Sequence, residues 1–168
     1  MKKNIRHRSP INAIDSALEK LPPLVQRILI NRDIVSAGQI DYQLKALQSP
    51  ENFGGLEDAV TLLKEALFAQ QRVCILGDFD ADGATSTALA VRCLRAFGFS
   101  KIDYLVPNRF EFGYGLTPEI VVEIAKLSPD LLITVDNGIA SLDGVAAAQA
   151  HGIKVLITDH HLPGAVLP

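Results

Sequence analysis

GDFDADG, residues 77–83, directly follows the apolar run RVCIL and contains three aspartates at alternate positions. An apolar run that ends in glycine and aspartate is typical of a buried strand that enters a turn. Carboxylates held this close together repel one another unless a positive charge lies among them. The stretch therefore predicts the end of a strand at which several carboxylates surround a cation.

From residue 72 onward, short apolar runs alternate with stretches of helical periodicity. Continuous apolar strands separated by helices are typical of a parallel sheet that is covered on both faces. With right-handed crossovers, this pattern predicts a doubly wound α/β domain. The predicted strands are residues 72–76, 102–106, 131–135 and 155–158, and the predicted helices are residues 84–97, 118–126 and 142–150.

Two further helices are predicted before this sheet. LPPLVQRILINRDI, residues 21–34, has apolar residues at helical spacing and is entered at its prolines. GLEDAVTLLKEALFAQQ, residues 55–71, is a second amphipathic helix. The first nine or ten residues are expected to be mobile. We therefore predict a helical extension over residues 1–70 and the α/β domain over residues 71–168.

The composition suits one sizeable core, because 48% of the 168 residues are hydrophobic. No apolar run approaches the roughly 18 to 20 residues of a membrane span, so we predict a soluble, cytoplasmic chain without a membrane partner. The two cysteines support no disulfide framework. The net charge of −3 does not favour nucleic-acid binding, since a DNA-binding domain recognised by charge alone should be basic.

Charged or polar side chains that could bind a metal or a substrate follow each of the four predicted strands. Ligands of open parallel sheets bind beyond the carboxyl ends of the strands, so these residues are predicted to meet at one edge. They are Asp78, Asp80 and Asp82 after the first strand, Asn108 and Arg109 after the second, Asp136 and Asn137 after the third, and Asp159, His160 and His161 after the fourth. Carboxylates with imidazoles suit a divalent metal such as Mn²⁺, and carboxylates that bridge two ions suit a hydrolytic two-metal site.

Each of these residues also has a simpler interpretation. Asp82 could cap the helix that follows it, and Asp136 could form a turn with the next two residues, Asn and Gly. Arg109 and the adjacent histidines could be surface side chains. Four independent turns that bring such groups to the same edge favour a functional site over four coincidences.

The motifs GDFDADGATS, VDNG and TDHH, in this order and spacing, resemble the first three motifs of the DHH phosphoesterase superfamily. Within it, the stretches GDFDADGATSTALA, IDYLVPNRFEFGYGLTPE, TVDNGI and TDHHLPG resemble most specifically the RecJ family of bacterial 5′→3′ exonucleases. The resemblance covers the chain from about residue 71 to its end. It implies two Mn²⁺ or Mg²⁺ ions that activate water for attack on a phosphodiester, single-stranded DNA as substrate, and a role in DNA repair and recombination.

The resemblance also implies a role for each candidate residue. The implied metal ligands are Asp78, Asp80, Asp82, Asp136 and His160. The implied catalytic residues are Asp136, Asp159 and His161, and the candidate substrate-binding residues are Asn108, Arg109 and Asn137. Within these sets Asp136 bridges the two ions and His161 lies beside the scissile phosphate, while Asp159 orients the histidines.

This chain departs from the family pattern in its first motif. Many relatives have H-x-x-x-D-x-D there, and the place of that histidine is held by Leu76, which cannot bind a metal. Asp78, two residues further on, is the candidate replacement. In the segment PNRFEFGYG, Gly113 and Gly115 are expected to let the loop backbone approach the strand.

A fourth family motif, with another aspartate ligand, and a second domain that binds the nucleic acid are not found in these 168 residues. We therefore expect the chain to be the N-terminal part of a longer enzyme and to be inactive alone. Besides single-stranded DNA, the resemblance implies a single-stranded-DNA-binding protein and a helicase as partners.

Four alternatives remain open from the residues alone. Another DHH phosphoesterase, acting on short oligonucleotides or pyrophosphate, would use the same metals. A phosphatase similar to haloacid dehalogenase also has D-x-D after its first strand, but the paired histidines do not fit it. A non-enzymatic receiver-type signalling domain would use Asp136 as its phosphoacceptor, and it too leaves TDHH unexplained. A DHH fold that serves only as a structural partner is disfavoured by the intact metal motifs.

Overall fold

The computed structural model describes residues 15–168, which divide into two compact units between Gly54 and Gly55. The first nine or ten residues, for which mobility was predicted, lie outside the described residues. Within residues 15–168, no helix combines the length and the apolar character that crossing a membrane requires.

The described part of the first unit contains one α-helix, α1 (Pro23–Ile30), which confirms the helix predicted within residues 21–34. It begins with proline because the first helical position needs no backbone N–H. Short 3₁₀ turns make up most of the rest, at Leu18–Lys20, Ala37–Ile40, Leu44–Ala46 and Pro50–Asn52.

The second unit is built on a four-stranded parallel sheet in the order β2-β1-β3-β4. Its strands are β1 (Val73–Leu76), β2 (Ile102–Leu105), β3 (Leu131–Val135) and β4 (Lys154–Thr158). The chain passes from β1 to β2 on one side, and then crosses to β3 and β4 on the other. This order confirms the predicted doubly wound α/β fold, and it creates a switch point between β1 and β3, where such sheets bind ligands.

Helices cover both faces of the sheet because alternate residues of each strand point to opposite faces. They are α2 (Leu56–Phe68), α3 (Ala81–Ala96), α4 (Arg109–Phe112), α5 (Pro118–Ala125) and α6 (Leu142–Ala150). One buried cluster joins α5 and α6 to the sheet, and its members include Leu76, Ile120, Val145 and Leu132. The opposite cluster joins α2 and α3 to the sheet through residues that include Ala66, Leu94, Ile75 and Ile133. Each large buried side chain contributes about 1.5 to 3 kcal/mol, so the two clusters hold the strand ends in a fixed arrangement.

Two helices next to the site differ from the prediction. Helix α3 begins at Ala81 rather than at residue 84, because Asp80 and not Asp82 is its N-cap. The carboxylate of Asp80 accepts a hydrogen bond from the N–H of Gly83 at 3.1 Å. Helix α4 is a single turn inside a segment predicted to be a loop, and its first turn is capped by the side chain of Asn108.

The compact unit also begins earlier than the predicted α/β domain. We predicted the helical extension to reach residue 70, whereas α2 packs Ala66 into the core on the sheet and the unit starts at Gly55. The amphipathic pattern of α2 identified a helix with one buried face, but it did not specify which core that face would join. The start of a catalytic domain near residue 71 stays a prediction.

Candidate metal centre

Carboxylate and imidazole side chains meet at the carboxyl edge of the sheet in two overlapping groups. Ligand atoms of Asp78, Asp80 and Asp136 all lie within 4.8 Å of one another, and the same is true of Asp136, His160 and His161. Asp136 belongs to both groups, so the two groups share its carboxylate. Both groups lie at the carboxyl ends of the strands, the edge at which such sheets bind ligands.

Asp136 directly follows β3 and is held there by its backbone. Its φ is 63°, in the left-handed region that aspartate and asparagine tolerate better than other residues with a side chain. The N–H of Asp136 donates to the carbonyl of Thr158 at the end of β4, at 3.0 Å. Its carboxylate is buried, and Oδ1 lies 2.9 Å from Nε2 of His160. The shared carboxylate is therefore fixed by two neighbouring strands.

Arg109 supplies a positive charge inside the first group. Its Nη2 donates to Oδ2 of Asp78 at 2.6 Å and lies 3.7 Å from Oδ2 of Asp80. The side chain of Asp78 is only 5% exposed, and its other oxygen accepts the N–H of Phe79 at 2.7 Å. The hydrogen bond to Asp78 raises the pKa of Arg109, so the guanidinium stays charged. Arg109, a candidate substrate contact, is thus also a counterion to two candidate metal ligands.

The three aspartates of GDFDADG take three different positions. Asp78 is buried, Asp80 caps α3, and both belong to the first group. Asp82 lies exposed in the first turn of α3 and belongs to neither group. It lines a cavity of about 370 Å³ that is also lined by Asp136 and His160. The structure therefore brings two of the three predicted ligands together and leaves the third at the cavity wall.

Leu76, at the place of the histidine in many relatives, is fully buried in the core. It cannot contribute a ligand atom. Asp78 follows two residues later, and its carboxylate belongs to the first group. This position supports Asp78 as the replacement ligand, which stays a prediction.

Asp159 orients His161 and belongs to neither ligand group. Its Oδ1 lies 2.7 Å from Nδ1 of His161, and its Oδ2 accepts the N–H of Ile139 at 2.9 Å. Burial acts to raise the pKa of Asp159, but the hydrogen bonds from Ile139 and His161 outweigh it and lower the pKa. The same hydrogen bond with Asp159 raises the pKa of His161. The imidazole is thus held by a buried, charged carboxylate.

Tyr114, which the sequence analysis did not single out, connects the two halves of the site. Its hydroxyl donates to the backbone carbonyl of Asp136 at 3.2 Å and lies 3.2 Å from Nδ1 of His161. Burial, followed by the charges of the nearby carboxylates, raises the pKa of Tyr114 to about 12, so the hydroxyl keeps its proton. In the sequence, Tyr114 is marked only by its place between two glycines, Gly113 and Gly115. Their φ values in the structure are 76° and 75°. Both glycines are needed for backbone conformation, and only at Gly115 would an added Cβ meet another side chain.

The other two candidate substrate contacts are placed differently. Asn108 is exposed, and its side chain accepts the N–H of Phe110 at 3.1 Å. Asn137 is only 1% exposed, and its Nδ2 donates to the carbonyls of Leu76 at 3.2 Å and Val135 at 2.9 Å. Asn137 therefore ties the ends of β1 and β3 together, and its burial does not support the predicted contact with a substrate.

Comparison with known protein families matches residues 72–168 to the N-terminal domain of the DHH family. The chain belongs to the DHH family. This membership excludes the dehalogenase-like and receiver-domain alternatives, and it confirms the resemblance that the three motifs indicated.

Curated relatives narrow the similarity within the DHH family. The chain is 49% identical over 170 residues to the single-stranded-DNA-specific exonuclease RecJ of Haemophilus influenzae, and 47% identical over 164 residues to that of Escherichia coli. These alignments cover 100% and 98% of this chain, but 29% and 28% of the relatives. The chain thus spans less than a third of the length of these relatives.

Solved structures agree with this similarity. A crystal structure of exonuclease RecJ bound to manganese aligns with a TM-score of 0.65 and 39% identity, over 73% of this chain and 31% of that one. A crystal structure of RecJ in complex with Mn²⁺ from Thermus thermophilus aligns with a TM-score of 0.61 and 33% identity, over 91% of this chain and 21% of that one. These matches confirm the α/β fold class.

Proposed function

We propose that the protein carrying this DHH-family chain is a metal-dependent nuclease that degrades single-stranded DNA from its 5′ end, in DNA repair and recombination. The observation that carries the proposal is one buried carboxylate, Asp136, shared by two groups of potential metal ligands. The relatives that are 47% to 49% identical are named single-stranded-DNA-specific exonucleases, which supports this substrate. Because the chain covers 28% to 29% of them, the activity is proposed for the whole protein. A single-stranded-DNA-binding protein and a helicase as partners stay predictions.

The donor set fits a pair of divalent cations. Carboxylate oxygens with imidazole nitrogen are ligands that suit Mn²⁺, and the carboxylates alone suit Mg²⁺. The first group contains three carboxylates. Among the described residues, its ion-pair partners are the guanidinium of Arg109 and the imidazole of His160, which is charged only when protonated. The group therefore keeps an excess of negative charge that a bound cation would neutralise. We propose that Asp78, Asp80 and Asp136 would hold one ion and that Asp136 and His160 would hold the other.

Such ions, when bound, polarise a phosphodiester and lower the pKa of a water molecule. The chain's own contribution is to hold His161 in one orientation between Asp159 and Tyr114. An imidazole fixed in this way can donate a hydrogen bond to a phosphate oxygen as negative charge develops in the transition state. We therefore assign His161 mainly to turnover and His160 mainly to metal binding.

Arg109 and Asn108 are the proposed phosphate contacts of this chain. The guanidinium has five N–H donors, and its hydrogen bond to Asp78 uses Nη2. The Arg109 side chain is 35% exposed, so part of it is open to solvent. Donors thus remain for a phosphate next to the carboxylates.

The test uses the full-length protein, a 5′-labelled single strand of DNA and Mn²⁺. We expect release of nucleotides from the single strand, a slower reaction on a blunt duplex, and no reaction after chelation of the metal. His160→Ala should weaken Mn²⁺ affinity by at least about 10-fold, because a ligand is deleted. His161→Ala should lower kcat by about 10²- to 10³-fold, because a donor to the transition state is lost.

His151→Ala is the matched control, since His151 is an exposed histidine at the end of α6 and lies in neither ligand group. It should leave both quantities unchanged. Equal loss of Mn²⁺ affinity in the variants of His160 and His161 would refute the division of roles. A full-length protein that releases no nucleotides with either Mn²⁺ or Mg²⁺ would refute the function itself.

A further inference from the structure

Two exposed phenylalanines are sequence neighbours of residues at the candidate metal centre, and the proposed catalytic chemistry uses neither. Phe79 stands between Asp78 and Asp80 in GDFDADG and is 55% exposed. Phe110 follows Arg109 on α4 and is 98% exposed. A phenylalanine in water forgoes the burial that normally stabilises a fold. Both stand next to site residues in the sequence, which makes them candidates for a surface that a bound ligand covers.

Arg109 connects one of these rings to the charged site. Its Cζ lies 4.0 Å from the centroid of Phe79 and 4.9 Å from the centroid of Tyr114. The guanidinium is therefore oriented by the two rings as well as by Asp78. Tyr114 is 48% exposed, and its hydroxyl is engaged with Asp136 and His161. Phe79 has no such polar group, and more than half of its surface is exposed.

We infer that Phe79 and Phe110 stack on unpaired bases of the DNA strand whose phosphates lie at the metal centre. Proteins that bind single strands combine positive charge along the backbone with aromatic side chains on which successive bases stack. Arg109 supplies such a charge beside the ring of Phe79. A duplex hides the faces of its bases, so these two side chains select single strands without reading their sequence. The inference rests on the proposed function and extends it to the origin of strand selectivity.

The test measures kcat/KM of the full-length protein with Mn²⁺ on two single strands of equal length. One strand carries all of its bases, and the other is abasic over its first six nucleotides. Phe110→Ala should lower kcat/KM on the intact strand by about 5- to 150-fold, the range for one stacked base. The loss should be clearly smaller on the abasic strand, because no base remains there to stack. Phe110→Tyr, which keeps an aromatic ring, should retain most of the wild-type value.

Two further measurements separate stacking from other causes. Phe79→Ala should show the same dependence on the bases, and both alanine variants should lose part of the preference for single strands over a blunt duplex. Phe97→Ala is the matched control. Phe97 is also an exposed phenylalanine, at 69%, but it lies at the C-terminal end of α3, whereas the site residue Asp80 lies at the N-terminal end. The slope of log(kcat/KM) against log[salt] should stay the same in every variant, since stacking neutralises no phosphate.

The outcomes distinguish this inference from the function on which it rests. If the wild type digests single strands and the variants of Phe79 and Phe110 lose nothing, the stacking surface is refuted and the function stands. Equal losses on the intact and abasic strands would refute it as well. If the wild type digests no strand, the proposed function fails and the inference fails with it.

Discussion

Replacing Asp136 with asparagine should stabilise the metal-free chain while removing its stabilisation by metal. Ligand atoms of Asp136, Asp78 and Asp80 lie within 4.8 Å of one another. Two like charges at that distance repel by about 3.5 kcal/mol at an effective dielectric constant of 20. Arg109, which is 2.6 Å from Asp78, already offsets part of this repulsion. We therefore expect the free energy of unfolding to rise by about 1 to 2 kcal/mol in the variant.

Asparagine is the appropriate replacement because it has nearly the size of aspartate and also tolerates the left-handed backbone conformation at this position. Its side-chain oxygen can still accept a hydrogen bond from His160, which is 2.9 Å from the present carboxylate. The change therefore removes a charge and little else.

The assay is thermal unfolding of the chain with and without Mn²⁺. Without metal, the gain corresponds to a rise in Tm of about 2 to 8 °C. With Mn²⁺ at about 100 times its Kd, the wild type should gain about 2.7 kcal/mol, and Asp136→Asn should gain almost nothing. Asp143→Asn, an exposed acid in the first turn of α6, is the control and should keep the full response to Mn²⁺. The argument from carboxylate repulsion would be refuted if Asp136→Asn were less stable than the wild type without metal. It would also be refuted if Mn²⁺ stabilised the variant as much as the wild type.

Two further predictions concern close packing. Gly83→Ala should lower the free energy of unfolding, measured in urea, by roughly 1 to 3 kcal/mol, because its methyl group would overlap the backbone carbonyl of Asp78. This loss is expected even though alanine favours helices. A more stable variant would contradict the contact. Cys74 is fully buried, and that burial raises the pKa of its thiol to about 12. Iodoacetamide at pH 8 should therefore alkylate the partly exposed Cys93 and spare Cys74 in the native chain. Peptide mass spectrometry measures both sites, and comparable labelling of the two would show that β1 is not buried as described.

The two central strands, β1 and β3, could be predicted well because every residue in them is buried. A strand covered by helices on both faces must be apolar along its whole length, so it appears in the sequence as a short continuous apolar run. The prediction for β3 matches Leu131–Val135, and the strand ends carry the acids and histidines of the site. Parallel topology then brings these ends to one edge, whichever order the strands take.

The sequence by itself thus determined the α/β class, the edge that carries the site, and most of the residue types that meet there. Only the tertiary structure decided which of them touch. Asp80 and Asp82 are equivalent as local signals for a helix cap, and the packing of α3 against the loop after β1 selects Asp80. The pairing of Arg109 with Asp78 and the tie that Asn137 makes to Leu76 join segments far apart in the chain. Such contacts depend on the strand order and on side-chain packing, and no local periodicity encodes either of them.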